Sequence, residues 1–209
     1  MISNYTKNLI MARIIAVTLV ITVVFGVLVY LDFKKYESKV VMETTKDRVS
    51  IDMPRNLNGI KYIDDNRIKE VTVSSFKKDE NFYYTADKLI DNNKYTPWIE
   101  GKKGYGEKEW LKLQFKSDLP VKGIVIDAGY NFRNDPYGSS YKRYSRPKTI
   151  KIGTASGSHS VVSLRDMPSG ENIIKFKKKI DTDYVLVEIL EVYPGTEYDD
   201  TCISQLKIF

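Results

Sequence analysis

The chain has one cysteine, Cys202, and one histidine, His159, in 209 residues. A single cysteine rules out an intrachain disulfide and any two-cysteine metal site, so the fold must hold by packing alone. One histidine leaves little for nucleophilic catalysis, which needs a base beside the nucleophile. His159 falls in the loop-like stretch ASGSHSV and is expected in a solvated turn, whereas Cys202 falls in an alternating pattern and is expected in the core. The glycine-bearing stretch 101–106 lacks the GK[ST] ending of a phosphate loop and precedes a strand pattern. Asp199 and Asp200 are sequence neighbours that would point to opposite sides of a strand, and nothing pairs them with Glu100 as a glycosidase would require. No catalytic constellation emerges, and the chain reads as a non-enzyme.

A strong charge bias is also missing. Thirty-three lysines and arginines against 27 acids give a formal charge of +6, but the signs alternate and form no basic stripe. Nucleic acid is therefore not an expected partner. The densest basic cluster, Lys175 with Lys177, Lys178 and Lys179, sits where a strand is expected to turn and reads as a solvated hairpin.

One long apolar run is present. Residues 14–31 carry no charge, and at 1.5 Å per residue they span about 27 Å, close to a bilayer's hydrocarbon core. They predict a single transmembrane helix after a short segment, 1–13. A cleaved signal would need a shorter apolar core and a small-residue cleavage site, which residues 25–32 do not offer. Lys7 and Arg13 before the run nearly balance Lys34, Lys35 and Lys39 after it, so charge alone does not set the orientation. Large following domains translocate despite flanking charge, and the expectation is a single-pass cell-membrane protein with its C-terminal domain extracytoplasmic.

Residues 32–67 carry many charges, Pro54 and the turn signal at 56–59, and read as a stalk, with one strand in the Val49, Ile51, Met53 alternation. From Glu70 onward short alternating segments recur between turn signals. They lie at 71–75, 111–115, 121–128, 149–152, 161–164, 173–176, 184–192 and 202–208. No helical pattern exceeds about three turns, and this spacing predicts an all-β domain over 68–209, two packed antiparallel sheets in a sandwich or jelly roll.

Residues 86–98, ADKLIDNNKYTPW, run an apolar pair, Leu89 and Ile90, into a tight polar loop. Asn and Asp bond backbone groups one or two residues on and tolerate left-handed conformations, and Pro97 ends any helix begun at Ala86. Trp98 reads as a core anchor. A strand ending VSS, this loop, TPW and the strand EWLKLQF together resemble the discoidin, or coagulation-factor type C, family. The runs WIEGKKGYGEKEWLKLQF (98–115), AGYNF (128–132), RPKTIKI (146–152) and VYPGTEYDDTCISQLKIF (192–209) resemble one branch of it, the type C module of bacterial NAD-glycohydrolases. That branch is associated with toxin translocation and glycan binding. The resemblance implies a galactose-binding-like jelly roll that binds its ligand through loops at one end. It does not imply NAD hydrolysis, for which nothing before residue 68 has room.

Some type C domains hold a structural calcium through the loop corresponding to Asp91, Asn93 and Thr96, helped by an acid near the C-terminus. Calcium requires six to eight oxygens. Gln205 stands at the acid's position and offers only a neutral carbonyl oxygen, which favours a hydrogen-bonded loop with no metal and no cofactor.

The stretch 129–147 is dense in aromatic and guanidinium groups: Tyr130, Asn131, Phe132, Arg133, Tyr137, Tyr141, Arg143, Tyr144 and Arg146. Aromatic faces pack on the apolar face of a pyranose, and planar arginine and asparagine groups bond its hydroxyls. The structural alternative has the tyrosines capping the core while the arginines pair with Asp127 and Asp135. Glu100, Tyr130, Asn131, Arg133, Tyr144 and Arg146 are the candidate ligand-binding residues, with Glu100 orienting a loop donor or a ligand. The expected function is a membrane-anchored, non-catalytic module for a glycan or similar surface ligand. The alternative is a protein-interaction subunit for a secreted or wall-associated partner.

Overall fold

Each alternating run becomes a strand whose apolar set turns inward, because successive side chains of a strand alternate between its faces. The computed structural model describes residues 50–56, 58–131, 139–168 and 170–209. The expected transmembrane helix at 14–31, and all of residues 1–49, lie outside them. Among the described residues no helix is long and apolar enough to cross a membrane. The strands are β1 (Ile51–Asp52), β2 (Ile68–Val73), β3 (Trp98–Ile99), β4 (Trp110–Ala128), β5 (Arg146–Thr154), β6 (His159–Ser163), β7 (Glu171–Tyr193) and β8 (Cys202–Ile208). Among the described residues, helical structure is limited to α1 (Ser139–Arg143) and two single 3-10 turns.

Hydrogen-bonded neighbours run β3-β8-β4-β7-β5-β6, with β1 on β7 and β2 on β4. The long strands β4 and β7 belong to both layers of the sandwich. Their mutual pairing is interrupted between Gln114 and Leu119, and each strand changes partners across the break. Before it, Leu111 and Leu113 of β4 pair with Val73 and Val71 of β2; after it, Ile124 and Ile126 pair with Ile208 and Leu206 of β8. On β7, Phe176 pairs with Ile51 of β1, and residues from Val185 onward pair with β5. One core results, in which Leu111, Leu113, Phe115, Val185, Val187, Ile150 and Ile152 meet Ile124, Ile126, Ile174, Phe176, Leu206 and Ile208. Val125, Ile173 and Phe209, with Ile60 over them, form a smaller apolar cluster.

Three expectations change. The lysines at 175–179 do not make a hairpin: β7 runs through them, with Phe176 turned into the core and the lysines turned to solvent. Within the stretch expected as a stalk, Ile51, Met53 and Ile63 instead pack on the core of the sandwich. His159 opens β6 opposite Gly153 rather than lying in a turn. Cys202 is fully buried at the start of β8, as its pattern predicts.

Candidate functional site

β4 leaves its core register at Ala128, and β5 enters its own at Arg146. The described parts of the intervening chain, residues 129–131 and 139–145, therefore lie at one end of the sandwich. Segment 194–201, between β7 and β8, joins them there: Ser145 N–H donates to Asp200 O at 3.1 Å, and Cys202 N–H to Ser145 O at 3.0 Å.

An aromatic stack forms at this end. Tyr144 packs on Tyr198 with centroids 4.5 Å apart and planes 24° from parallel. Tyr130 meets Tyr144 edge-on at 5.1 Å. On the side of Tyr198 lies the Arg143 guanidinium, 5.4 Å from the ring centroid, held by a 2.8 Å bond from its Nε to Glu197. Tyr84 belongs to the same group and packs on Phe82 at 4.7 Å. Burial raises the Tyr144 phenol, and Cys202, Tyr198, Tyr130 and Tyr84 around it add to the rise. Burial likewise raises Tyr130 and Tyr84, and a neutral phenol can both donate and accept hydrogen bonds.

Glu100 sits beneath this end with no solvent exposure. Its carboxylate accepts from Lys102 N–H at 2.7 Å and from Thr201 N–H at 3.3 Å. It thus ties loop 101–108 to segment 194–201, the loop-orienting half of its expected role. Burial lifts its pKa to about 7 against the pull of those two N–H donors, and Asp200 and Glu109 add to the lift. Gly106 lies over it at φ +74°, where a Cβ would fall 2.7 Å from Glu100 Cγ, so glycine allows the loop to close on the carboxylate. Lys77 donates to Asp200 at 2.5 Å beside it.

The remaining expected residues divide. Arg146 is 6% exposed, and its Nε and Nη2 donate to Asp166 Oδ1 and Oδ2 at 2.7 Å each. Its Nη1 reaches Tyr144 O at 3.4 Å and Pro194 O at 3.3 Å. Beside the guanidinium lies the buried ring of Tyr141, whose hydroxyl donates to Asp166 Oδ1 at 2.9 Å. Arg146 is therefore committed inward, and its acid is Asp166 rather than Asp127; Asp135 lies outside the described residues. Asn131 donates to Asp127 Oδ2 at 2.8 Å, away from the tyrosine stack. Arg133 lies outside the described residues. Tyr84, Tyr198 and Asp166 come from distant segments, and only their chance density with other aromatics could have marked them in the sequence.

The polar loop at 91–96 is closed on itself. Asp91 Oδ1 accepts from Asn93 N–H at 2.8 Å, and Asp91 Oδ2 accepts from the Thr96 hydroxyl. Asn93 Oδ1 accepts from Tyr95 N–H at 3.2 Å. Asn92 holds φ +57°, the left-handed conformation that asparagine tolerates. Both oxygens of Asp91 and the side-chain oxygen of Asn93 are occupied by loop donors, and Gln205 brings no charge, so this side-chain set does not fit calcium's demand for six to eight oxygens. Trp98, fully buried, donates its indole N–H to Ser75 O at 2.9 Å and anchors the loop as predicted.

A jelly roll of this topology with a loop-built end defines a type C, discoidin-like module. The chain belongs to the NAD glycohydrolase translocation F5/8 type C domain family, whose model matches residues 61–209. Among solved structures, the CBM32-1 and CBM32-2 domains of Clostridium perfringens ZmpB superpose with a TM-score of 0.57 at 16% identity. That match covers 77% of this chain and 42% of that one, so the chain spans less than half of the structure it resembles. CpGH89CBM32-5 from C. perfringens, solved in complex with GalNAc-beta-1,3-galactose, gives a TM-score of 0.53 at 13% identity over 71% of this chain and 99% of that one. CBM32-3 from a family 31 glycoside hydrolase of C. perfringens gives 0.52 at 13% identity over 71% and 94%. At these identities the likeness is one of fold. No curated protein matches the chain.

Proposed function

We propose that the chain is a membrane-anchored glycan-binding module whose ligand lies on the tyrosine stack at the loop end of the jelly roll. The observation that carries this reading is the Tyr130, Tyr144, Tyr198 stack backed by Arg143. Such a surface offers a pyranose apolar faces for its C–H groups and phenols for its hydroxyls. Among the expected contacts, Tyr130 and Tyr144 keep a direct role, and Glu100, Asn131 and Arg146 hold the loops that present them. Support also comes from fold relatives such as the module solved with GalNAc-beta-1,3-galactose. The uncharged run at 14–31 supports a single-pass anchor, and in this reading the domain lies outside the cell. No cofactor or metal enters this reading.

A glycan array probed with the full chain in mild detergent tests it. Discrete sugar hits that disappear in Tyr144→Ala are expected, and silence across the array overturns the reading. Protease accessibility of the C-terminal domain on intact cells tests the anchor's orientation: cleavage from outside is expected.

The exposed aromatics Phe76, Phe82, Tyr83 and Tyr105 favour a second reading. They make the same end a docking surface for a secreted or wall-associated protein, consistent with the translocation role in the family's description. Array silence together with a protein partner recovered by cross-linking in cells would select it.

A further inference from the structure

We propose that a cavity beside Asp127, on the sheet's outer face and separate from the tyrosine stack, is a second ligand site that takes a neutral, polyhydroxylated molecule of monosaccharide size. Its volume is about 360 Å³, and Arg55, Asn56, Lys94, Asp127, Glu171, Ile173 and Gln205 line it. That size falls at the low end of the range for small-molecule pockets, about 300 to 1,000 Å³.

The strand register builds its floor. Asp127 of β4 lies directly opposite Glu171 of β7 on one side and Gln205 of β8 on the other. Direct partners in adjacent strands share a face, so two carboxyls and an amide stand in a row. Ile126 and Leu206 point the opposite way, into the core.

An unmatched atom marks the row as a site. Asp127 is 3% exposed; Asn131 donates to its Oδ2, and no donor among the described residues reaches its Oδ1. Leaving a buried acceptor without a donor costs about 1 to 3 kcal/mol, so the geometry calls for a donor from outside the protein. Burial raises this carboxyl to about 6, which keeps it an acceptor at neutral pH.

The charges around it select the donor's class. Lys94 and Arg55 line the cavity together with Asp127 and Glu171, and Lys207 holds Glu171 at 3.6 Å. Two cations at the rim disfavour a metal ion or an ammonium, and two carboxyls disfavour an anion. A neutral ligand with several hydroxyls meets both demands: one hydroxyl donates to Asp127 Oδ1 while others accept from Lys94, Arg55 and Asn56. Ile173 supplies an apolar patch for its C–H face.

The test is a titration of the ¹⁵N-labelled full chain, in mild detergent, with galactose, glucose, N-acetylgalactosamine and N-acetylglucosamine. Calcium chloride and methylammonium chloride are titrated separately, and the side-chain amide resonances of Asn131 and Gln205 are followed. A saturable shift with at least one sugar is expected at a Kd near 1 mM, about −4 kcal/mol. It should persist in Tyr144→Ala, which separates this site from the tyrosine stack, and weaken at least fivefold in Lys94→Ala, an exposed position, and in Asp127→Asn. Absence of any sugar shift at about 50 mM, well above that Kd, overturns the proposal. So does a saturable shift with calcium or methylammonium in place of sugar, or loss of the sugar shift in Tyr144→Ala.

Discussion

Arg146 and Asp166 meet through two parallel N–H···O bonds of 2.7 Å, with the guanidinium shielded from solvent and the ring of Tyr141 beside it. The pair joins the start of β5 to the segment before β7, and it closes the sandwich end that carries the tyrosines. Arg146→Ala strands the buried oxygens that it now satisfies. The cost is about 2 kcal/mol by chemical denaturation, at the low end for such a pair because Asp166 is one-third open to solvent. Where the variant remains folded, sugar affinity should stay within about twofold of the parent. A large loss of affinity with unchanged stability would instead place Arg146 on the ligand.

Tyr144 and Tyr198 make the opposite prediction. Both rings reach the surface, and neither holds the core. Tyr144→Ala and Tyr198→Ala should each weaken glycan binding about tenfold, roughly 1.4 kcal/mol, by isothermal titration. Stability should change by no more than about 1 kcal/mol, the scale of one lost aromatic pair. Unaltered binding in both variants would remove the stack from the site.

The division between these residues explains what the sequence could and could not tell. Strand positions were legible because a half-buried strand must alternate, and Leu111, Leu113 and Phe115 do so plainly. The continuity of β4 and β7 was not: Lys177, Lys178 and Lys179 look like a turn, although at a sheet's solvent face consecutive polar residues also fit a bending strand. Aromatic density between 129 and 147 marked the end where Tyr130, Tyr144 and Tyr198 gather. It could not show that Arg146 faces inward, because its partner Asp166 lies 20 residues away. Nor could it show that Asn131 turns to Asp127, since side-chain direction after a strand end depends on the loop's path.

The 91–96 loop yields a chelation experiment. With Asp91 accepting from Asn93 N–H and the Thr96 hydroxyl, the loop is held by its own donors. Adding a chelator, or millimolar calcium, should leave the melting temperature unchanged. Thr96→Val removes the hydroxyl donor at nearly constant shape and should cost about 1 kcal/mol. A rise of several degrees on adding calcium would show that the loop rearranges around a metal.

Glu100 makes the module's stability depend on pH in a defined window. Its folded pKa, about 7, lies above its ordinary value of 4.5. Between these values the folded chain holds a proton that the unfolded chain has released. The group's stabilising contribution is therefore fully present below about pH 4.5, declines as pH rises, and is lost above about pH 7. Asp127, raised to about 6 by burial, declines in the same direction over the lower part of the window. Asp166 and Glu109 are held below their ordinary range by hydrogen bonds and ion pairs, so their contributions fail only in stronger acid. Denaturant midpoints between pH 5 and pH 7.5 should thus fall with rising pH, by a total on the order of 2 kcal/mol. Glu100→Gln removes the titrating group while leaving an acceptor for Thr201 or Lys102, and it should flatten most of that slope. A slope unchanged in Glu100→Gln would mean that its carboxyl titrates normally, and that the closed loop over it, with Gly106 against its Cγ, opens to water in solution.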